Sequence, residues 1–181
     1  MATAVLTQTK WGIDATHTHV SFKVKHLVIS TVTGFFKKFN GTVIAESEDF
    51  DNAEVNFSID VNSIDTNQAD RDGHLKSEDF FAAAQYPAIN FTNGTLKKIT
   101  EEKYQLTGDL TIRDLARAVK LDVEFGGIVK DPYGNTKAGF EITGKISRKE
   151  FGLSWNAVTE AGGVVVSDEV KLLINAQVVK G

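Results

Sequence analysis

The chain contains no cysteine, which excludes disulfide frameworks, thiolate metal sites and cysteine nucleophiles and leaves the redox compartment unreadable. Proline occurs only 2 times, so long strands can run without losing ladder donors. Positive charge is not in excess: Lys+Arg number 20 against 24 Asp+Glu, a net charge of −4. With no basic block to neutralise phosphates, nucleic acid is not an expected partner. There is no run of about 18 apolar residues, and Met1 to Lys10 lacks the charged start and apolar stretch of an export signal. These absences predict a soluble, cytoplasmic chain without stable membrane insertion, periplasmic or secreted if a leader was trimmed. The 41% hydrophobic and 24% charged composition excludes a disordered or fibrous protein. The 181 residues suit a single domain over 1–181.

Phenylalanine, by contrast, is abundant, at 12 against 3 Tyr and 2 Trp, so most of the aromatic surface has no hydrogen-bonding handle and suits a dry interior. Val55 to Ile64 alternates apolar and polar residues, as do Val119 to Phe125 and Val170 to Val178, which is the period of a half-buried strand. Val20, Phe22 and Val24 follow the same rule, as do Ala138, Phe140, Ile142 and Ile146. The spacing predicts an all-β chain of about eight or nine strands in an antiparallel barrel or sandwich. Asn93-Gly94 reads as a hairpin turn, and Asp131 to Asn135 as another. Gly34 and Gly41, around Phe35, Phe36 and Phe39, predict a bulge or bend.

Residues 66–85 break the pattern and predict a helical excursion. Asp70 and Asp72 stand four residues before His74 and Lys76, a spacing that pairs charges on a helix face. Ser77 reads as an N-cap, with the helix ending before Pro87 and Leu75, Phe80 and Phe81 on its apolar side.

A closed barrel of eight strands is either filled by side chains or open to one small ligand. Phe22, Phe57, Phe91, Phe125 and Phe140 all fall on the inward phase, which suits either outcome. Among polar candidates, His17 and His19 share a strand face if the strand is regular, but two ligands do not make a metal site. Arg71, Asp72 and His74 form an acid–base set on paper, with bracing of a loop as the plainer reading and contact with a lipid headgroup as another. No nucleophile motif or phosphate cradle accompanies them. Phe151 and Trp155 either close one barrel end or cap its core, which parity does not separate, and Asn156 to Gly163 reads as a flexible loop, with a pore mouth as one place for it.

Taken in order along the chain, certain runs resemble the YceI-like family. They begin with Asp14, His17, Val20, Phe22 and His26, followed by Gly34, Phe36, Phe39 and Gly41. More specific are Arg71-Asp72-Gly73-His74-Leu75, Tyr86-Pro87-Ala88-Ile89-Asn90-Phe91 and Gly108-Asp109-Leu110-Thr111-Ile112-Arg113. Arg148 to Leu153 and Ser167 to Val170 complete the series. The resemblance implies an extended eight-stranded lipocalin-like barrel whose pore holds a polyisoprenoid or other long-chain lipid, without catalysis, cofactor or metal, and often as a homodimer. On it, Phe22, Val24, His26, Phe36, Phe57 and Ile59 are expected to bind ligand. So are Leu75, Phe80, Phe91, Phe125, Phe140 and Trp155, with Arg71, Asp72 and His74 at a polar mouth. Asp114 and Ala116 depart from the family pattern, and Asp114 is expected to supply a left-handed turn residue. Competing functions are an enzyme acting on such a lipid and a filled, stress-associated barrel without ligand.

Overall fold

The computed structural model describes residues 8–155 and 166–181. Where apolar and polar residues alternate, the chain is extended. The first strands are β1 (Thr9–Ile13), β2 (His19–His26), β3 (Ser30–Phe36), β4 (Phe39–Ala45) and β5 (Glu54–Asp60). After the short β6 (Ile64–Asp65) comes α1 (Ala69–Lys76), the single α-helix among the described residues. The long strands β7 (Ala88–Lys98), β8 (Lys103–Ile112), β9 (Leu115–Lys130), β10 (Thr136–Ser147) and β11 (Val166–Lys180) follow. The order β1-β4-β5-β7-β8-β9-β10-β11 returns to β1 through Trp11↔Lys180, Gly12↔Val179 and Ile13↔Val178. Every pairing is antiparallel, which makes a closed eight-stranded barrel of lipocalin-like form. The segments outnumber the strands expected because two barrel strands are interrupted. β11 pairs with β1 at one end and with β2 further along, so β1 and β2 are halves of one strand. Likewise β3 and β4 are separated only by Lys37 and Lys38, the bend predicted from Gly34 and Gly41.

Three local expectations are corrected. Asn93-Gly94 does not reverse the chain: β7 runs through it, and the pairing with β8 shifts between Thr92 and Thr95. Asn93 does adopt the positive φ of a turn residue, 54°, but β5 and β8 flank it on both sides, so the same conformation makes a bulge. The strand expected over 55–64 stops at Asp60, whose Oδ1 accepts from the Asn62 N–H at 2.9 Å and starts a 3-10 turn. Ser77 ends α1 instead of starting a second helix. Beyond it the chain makes separate turns, with Ala82 at φ 48°, which bury Phe80, Ala82 and Ala83 together.

The charge pairs expected on α1 also form elsewhere. Asp72 accepts from the Thr66 N–H at 2.8 Å, and His74 pairs with Asp79 at 2.8 Å. In the β8–β9 hairpin, Arg113 takes the left-handed conformation at φ 57° in place of Asp114. The turn at 131–135 is as expected: the Asp131 carboxylate accepts from the Tyr133 and Asn135 N–H groups, both at 2.9 Å.

The two barrel ends are closed differently. At one, residues 46–53 fold inward and place Phe50, 0% exposed, against Trp11, Phe125 and Phe140 with ring centroids 5.0, 5.5 and 5.1 Å apart. The Tyr104 hydroxyl donates to the Asp49 carbonyl, and the Asn52 N–H to that of Leu96, tying this plug to β7 and β8. At the other end α1 and residues 77–87 cover a second core containing Val20, Phe36, Val61, Ile64 and Phe151.

Candidate functional site: an apolar cavity in the barrel

Between the two ends lies a cavity of about 200 Å³. Inward residues of nearly every strand supply its wall, which is hydrocarbon apart from Ser21 and Arg148. Both polar groups are already engaged. The Ser21 hydroxyl donates to the Leu173 carbonyl at 2.9 Å. Arg148, 3% exposed, donates to the carbonyls of Leu153, Trp155, Ser167 and Val166 at 2.6–3.2 Å. Burial pulls its guanidinium below the usual range and Asp168 opposes the shift, yet an arginine stays charged under such conditions. The carbonyl cage compensates that charge.

The space exists because aromatic rings lie flat on the wall instead of crossing the lumen. Phe22 faces Gly34 across β2 and β3, and Phe57 faces Gly41 across β5 and β4. A Cβ at Gly34 would stand 2.2 Å from Phe22 Cζ, and one at Gly41 2.5 Å from Phe57 Cδ2. Phe91 covers Gly94 and Gly108 in the same manner. Each glycine is a seat that only a residue without a side chain can provide.

Most of the residues expected to bind ligand line this cavity: Phe22, Val24, Phe36 and Phe57, and beyond them Ile59, Leu75, Phe80, Phe91 and Phe140. Three do not. Phe125 has the correct inward parity but lies deeper, stacked on Phe140 at 5.2 Å and against Tyr104 at 5.9 Å within the plug. His26 is the last residue of β2, opposite Ser30 and beyond the cavity. Trp155 packs outside it, edge-on to His74 at 4.7 Å and 5.4 Å from Phe80.

Arg71 and Asp72 brace Thr66: Arg71 Nε and Nη2 donate to its hydroxyl and carbonyl at 2.8 and 2.6 Å, while Asp72 accepts from its N–H. None of Arg71, Asp72 and His74 reaches the cavity wall. His17 falls in a 3-10 turn, not on a strand with His19, and its Nδ1 bonds Asp14 at 2.8 Å. That hydrogen bond, with another from Lys137, lowers the Asp14 pKa to about 2. Among the described residues no group of three or more His, Asp or Glu is placed to hold a metal ion. Phe151 is buried in the second core. The loop expected over 156–163 lies outside the described residues.

The YceI-like domain model matches residues 11–178. The chain belongs to the YceI-like family. The protein YceI of Salmonella newport is similar to it, at 37% identity over 174 residues, covering 96% of this chain and 87% of that one. The crystal structure of the Campylobacter jejuni YCEI protein superposes with a TM-score of 0.71 at 34% identity, over 99% of this chain and 98% of that one. A polyisoprenoid binding domain from Saccharophagus degradans shares the fold, with a TM-score of 0.70 at 15% identity over 94% and 98% of the two chains. In the YceI-like frame, the family runs seen in the sequence serve definite structural ends. Arg71 and Asp72 fasten Thr66, Gly108 seats Phe91, and Arg148 joins the chain on either side of residues 156–165. Sequence reasoning missed Arg148 as a wall residue and Phe50 as the plug. Arg148 stood within a family run, whereas nothing in the polar stretch around Phe50 pointed inward. Among the described residues no helix is long and apolar enough to cross a membrane.

Proposed function

We propose that this barrel, a single domain, binds one long-chain apolar or amphiphilic lipid of polyisoprenoid or isoprenoid-quinone type and stores or carries it, without catalysing a reaction. The observation that carries the reading is the apolar cavity whose rings are held back on glycine seats. A barrel that only needed filling could use those rings to fill it. The name of the Saccharophagus degradans neighbour, a polyisoprenoid binding domain, supports the same ligand class. Burying each CH₂ is worth roughly 0.8 kcal/mol, so a chain of about 20 carbons gains more than about 10 kcal/mol before ordering is counted. The cavity is smaller than the roughly 300–1,000 Å³ of ordinary ligand pockets. That gain must therefore also widen the lumen. Against catalysis stands the engagement of Arg71, Asp72 and His74 with Thr66 and Asp79. The reading includes a homodimer in a cytoplasmic setting, and sedimentation and cell fractionation test those two points.

The deciding experiment is native mass spectrometry of the purified protein, with mass spectrometry of its organic extract and a blank. A stoichiometric long-chain lipid is expected. A clean apo mass that persists after incubation with isoprenoids and quinones overturns the reading in favour of a filled barrel.

A further inference from the structure

The β2–β3 hairpin ends in three exposed apolar residues: Leu27, Val28 and Ile29 are 39%, 74% and 85% exposed. A tip of this length ordinarily uses Gly, Asn or Asp, because these tolerate positive φ. Here Leu27 and Val28 take φ 52° and 66°, a conformation that is an outlier for a β-branched residue. The strain is not offset by burial, since all three side chains face solvent. Strained, exposed apolar positions of this kind are retained where something outside the fold uses them.

The outer surface beside the tip supplies a second, independent observation. Lys145 lies opposite Lys171, and Lys171 opposite Lys23, so three lysines form one row across β10, β11 and β2. Like charges directly opposite destabilise a sheet, and this row sits on a chain of net charge −4. Lys145 has a partner in Glu169 at 3.2 Å. Lys23, Lys171 and the neighbouring Lys25 enter no ion pair among the described residues. The nearby Asp168 is taken up by the Ser147 hydroxyl and the Lys149 N–H. At roughly 3.3 Å per residue, Lys25 is about 7 Å from the start of the tip, within one Debye length of about 8 Å at physiological salt, and Lys23 lies about 13 Å away, beyond it.

We infer that the Leu27–Ile29 tip and the lysine row form a docking surface for an anionic phospholipid bilayer. The apolar tip enters the interface while the β10-β11-β2 face leans on the headgroups. Three residues are too few for a protein interface, which needs about 800 Å² on each partner, but apolar insertion backed by nearby lysines is how peripheral proteins hold a charged membrane. The tip is also well placed for exchange, because Val24 and Val166, beside it on β2 and β11, line the cavity. This inference builds on the lipid-carrying reading by naming the surface from which cargo is loaded.

The test is flotation of the full chain with vesicles of phosphatidylcholine containing about 30% phosphatidylglycerol, against pure phosphatidylcholine. The unaltered chain is expected to bind the anionic vesicles and to be released by high salt. The double substitution Val28→Asn, Ile29→Asp should reduce binding about tenfold or more, and because Asn suits the left-handed turn the thermal midpoint should hold or rise. Lys23→Glu with Lys25→Glu should abolish the preference for anionic vesicles. A single Ile29→Cys, labelled with an environment-sensitive dye in this cysteine-free chain, should shift to the blue on those vesicles. No binding by the unaltered chain, or equal binding by the tip variant, overturns the inference. So does a tip-dependent oligomer that forms without vesicle binding, since the tip would then meet a second copy. Vesicle binding is scored without cargo, so an empty cavity in the mass spectra would defeat the lipid-carrying reading while leaving this surface to its own result.

Discussion

Replacing Gly34 with valine tests directly whether the glycine seats create the cavity. A Cβ at that position would lie 2.2 Å from Phe22 Cζ and 2.6 Å from Cε1, whereas carbon atoms settle at about 3.5–4.0 Å. The ring must therefore move by more than about 1 Å. The β3 backbone lies behind it, so the open direction is the lumen. The ring's former place is taken by the valine side chain, so the lumen loses the volume of the carbons that valine adds, a substantial part of the 200 Å³ available. Overpacking of this kind costs about 1–3 kcal/mol, and a chain of this size loses about 2–4 °C per kcal/mol. Gly34→Val should thus melt roughly 2–12 °C lower, remain folded and lose its lipid in native mass spectra. Adding Phe22→Ala should restore retention, with a combined stability loss smaller than the sum of the two. Full lipid occupancy in a folded Gly34→Val protein would refute the reasoning, because the ligand would then not lie where the rings are seated.

Phe50→Ala should cost about 3–5 kcal/mol, the usual toll of emptying a buried aromatic site, and a calorimetric loss below about 1 kcal/mol would show that residues 46–53 are not a plug. Arg148→Met removes the hydrogen bonds of its guanidinium and leaves the buried Leu153 carbonyl without that donor, at about 1–3 kcal/mol for a buried group left unpaired; the urea midpoint should fall, and Arg148→Lys should not restore it, since an ammonium lacks the planar fork. Hydrogen bonds from His17 and Lys137 hold the Asp14 carboxyl at a pKa of about 2, below its ordinary 3.8, so its contribution is present above about pH 4 and is lost as pH falls through 2. Asp14→Asn should therefore cost roughly 1 kcal/mol at neutral pH, solvent screening included, and the gap to the unaltered chain should close by pH 2 in melting curves; a gap independent of pH would contradict the assignment.

Parity along a strand is local, and it was legible: Leu121 and Val123 are buried on β9, and Val170 through Val178 turn their alternate residues to the interior of β11. Depth along the barrel axis is not local. Phe125 and Phe140 share an inward phase and stack on each other, yet only Phe140 reaches the cavity, because the plug that claims Phe125 comes from residues 46–53. Phe50 itself stands among Glu, Ser, Asp and Asn, so its burial depends on where that loop folds back. Asn93-Gly94 illustrates a different limit, since hairpin turns and bulges require the same positive φ and the partner strands decide between them. The glycine seats were half visible. Gly34 and Gly41 marked the bend, but the rings resting on them come from strands whose register the local sequence does not specify.

Barrel closure has a consequence for the order in which this chain can fold. Ile13 pairs with Val178, Trp11 with Lys180, and β2 lies along β11, so the first and last strands are neighbours. During synthesis β1 and β2 can pair with β4 and β3 soon after these emerge, but their other edge waits for β11, the last of these strands to leave the ribosome. Pairings so distant in sequence form slowly, and until they do, the Phe-rich inner face and its unpaired edges stand open to other nascent chains. A truncation that removes β11 should therefore do more than shorten the barrel: it would leave the molecule as an open, adhesive sheet.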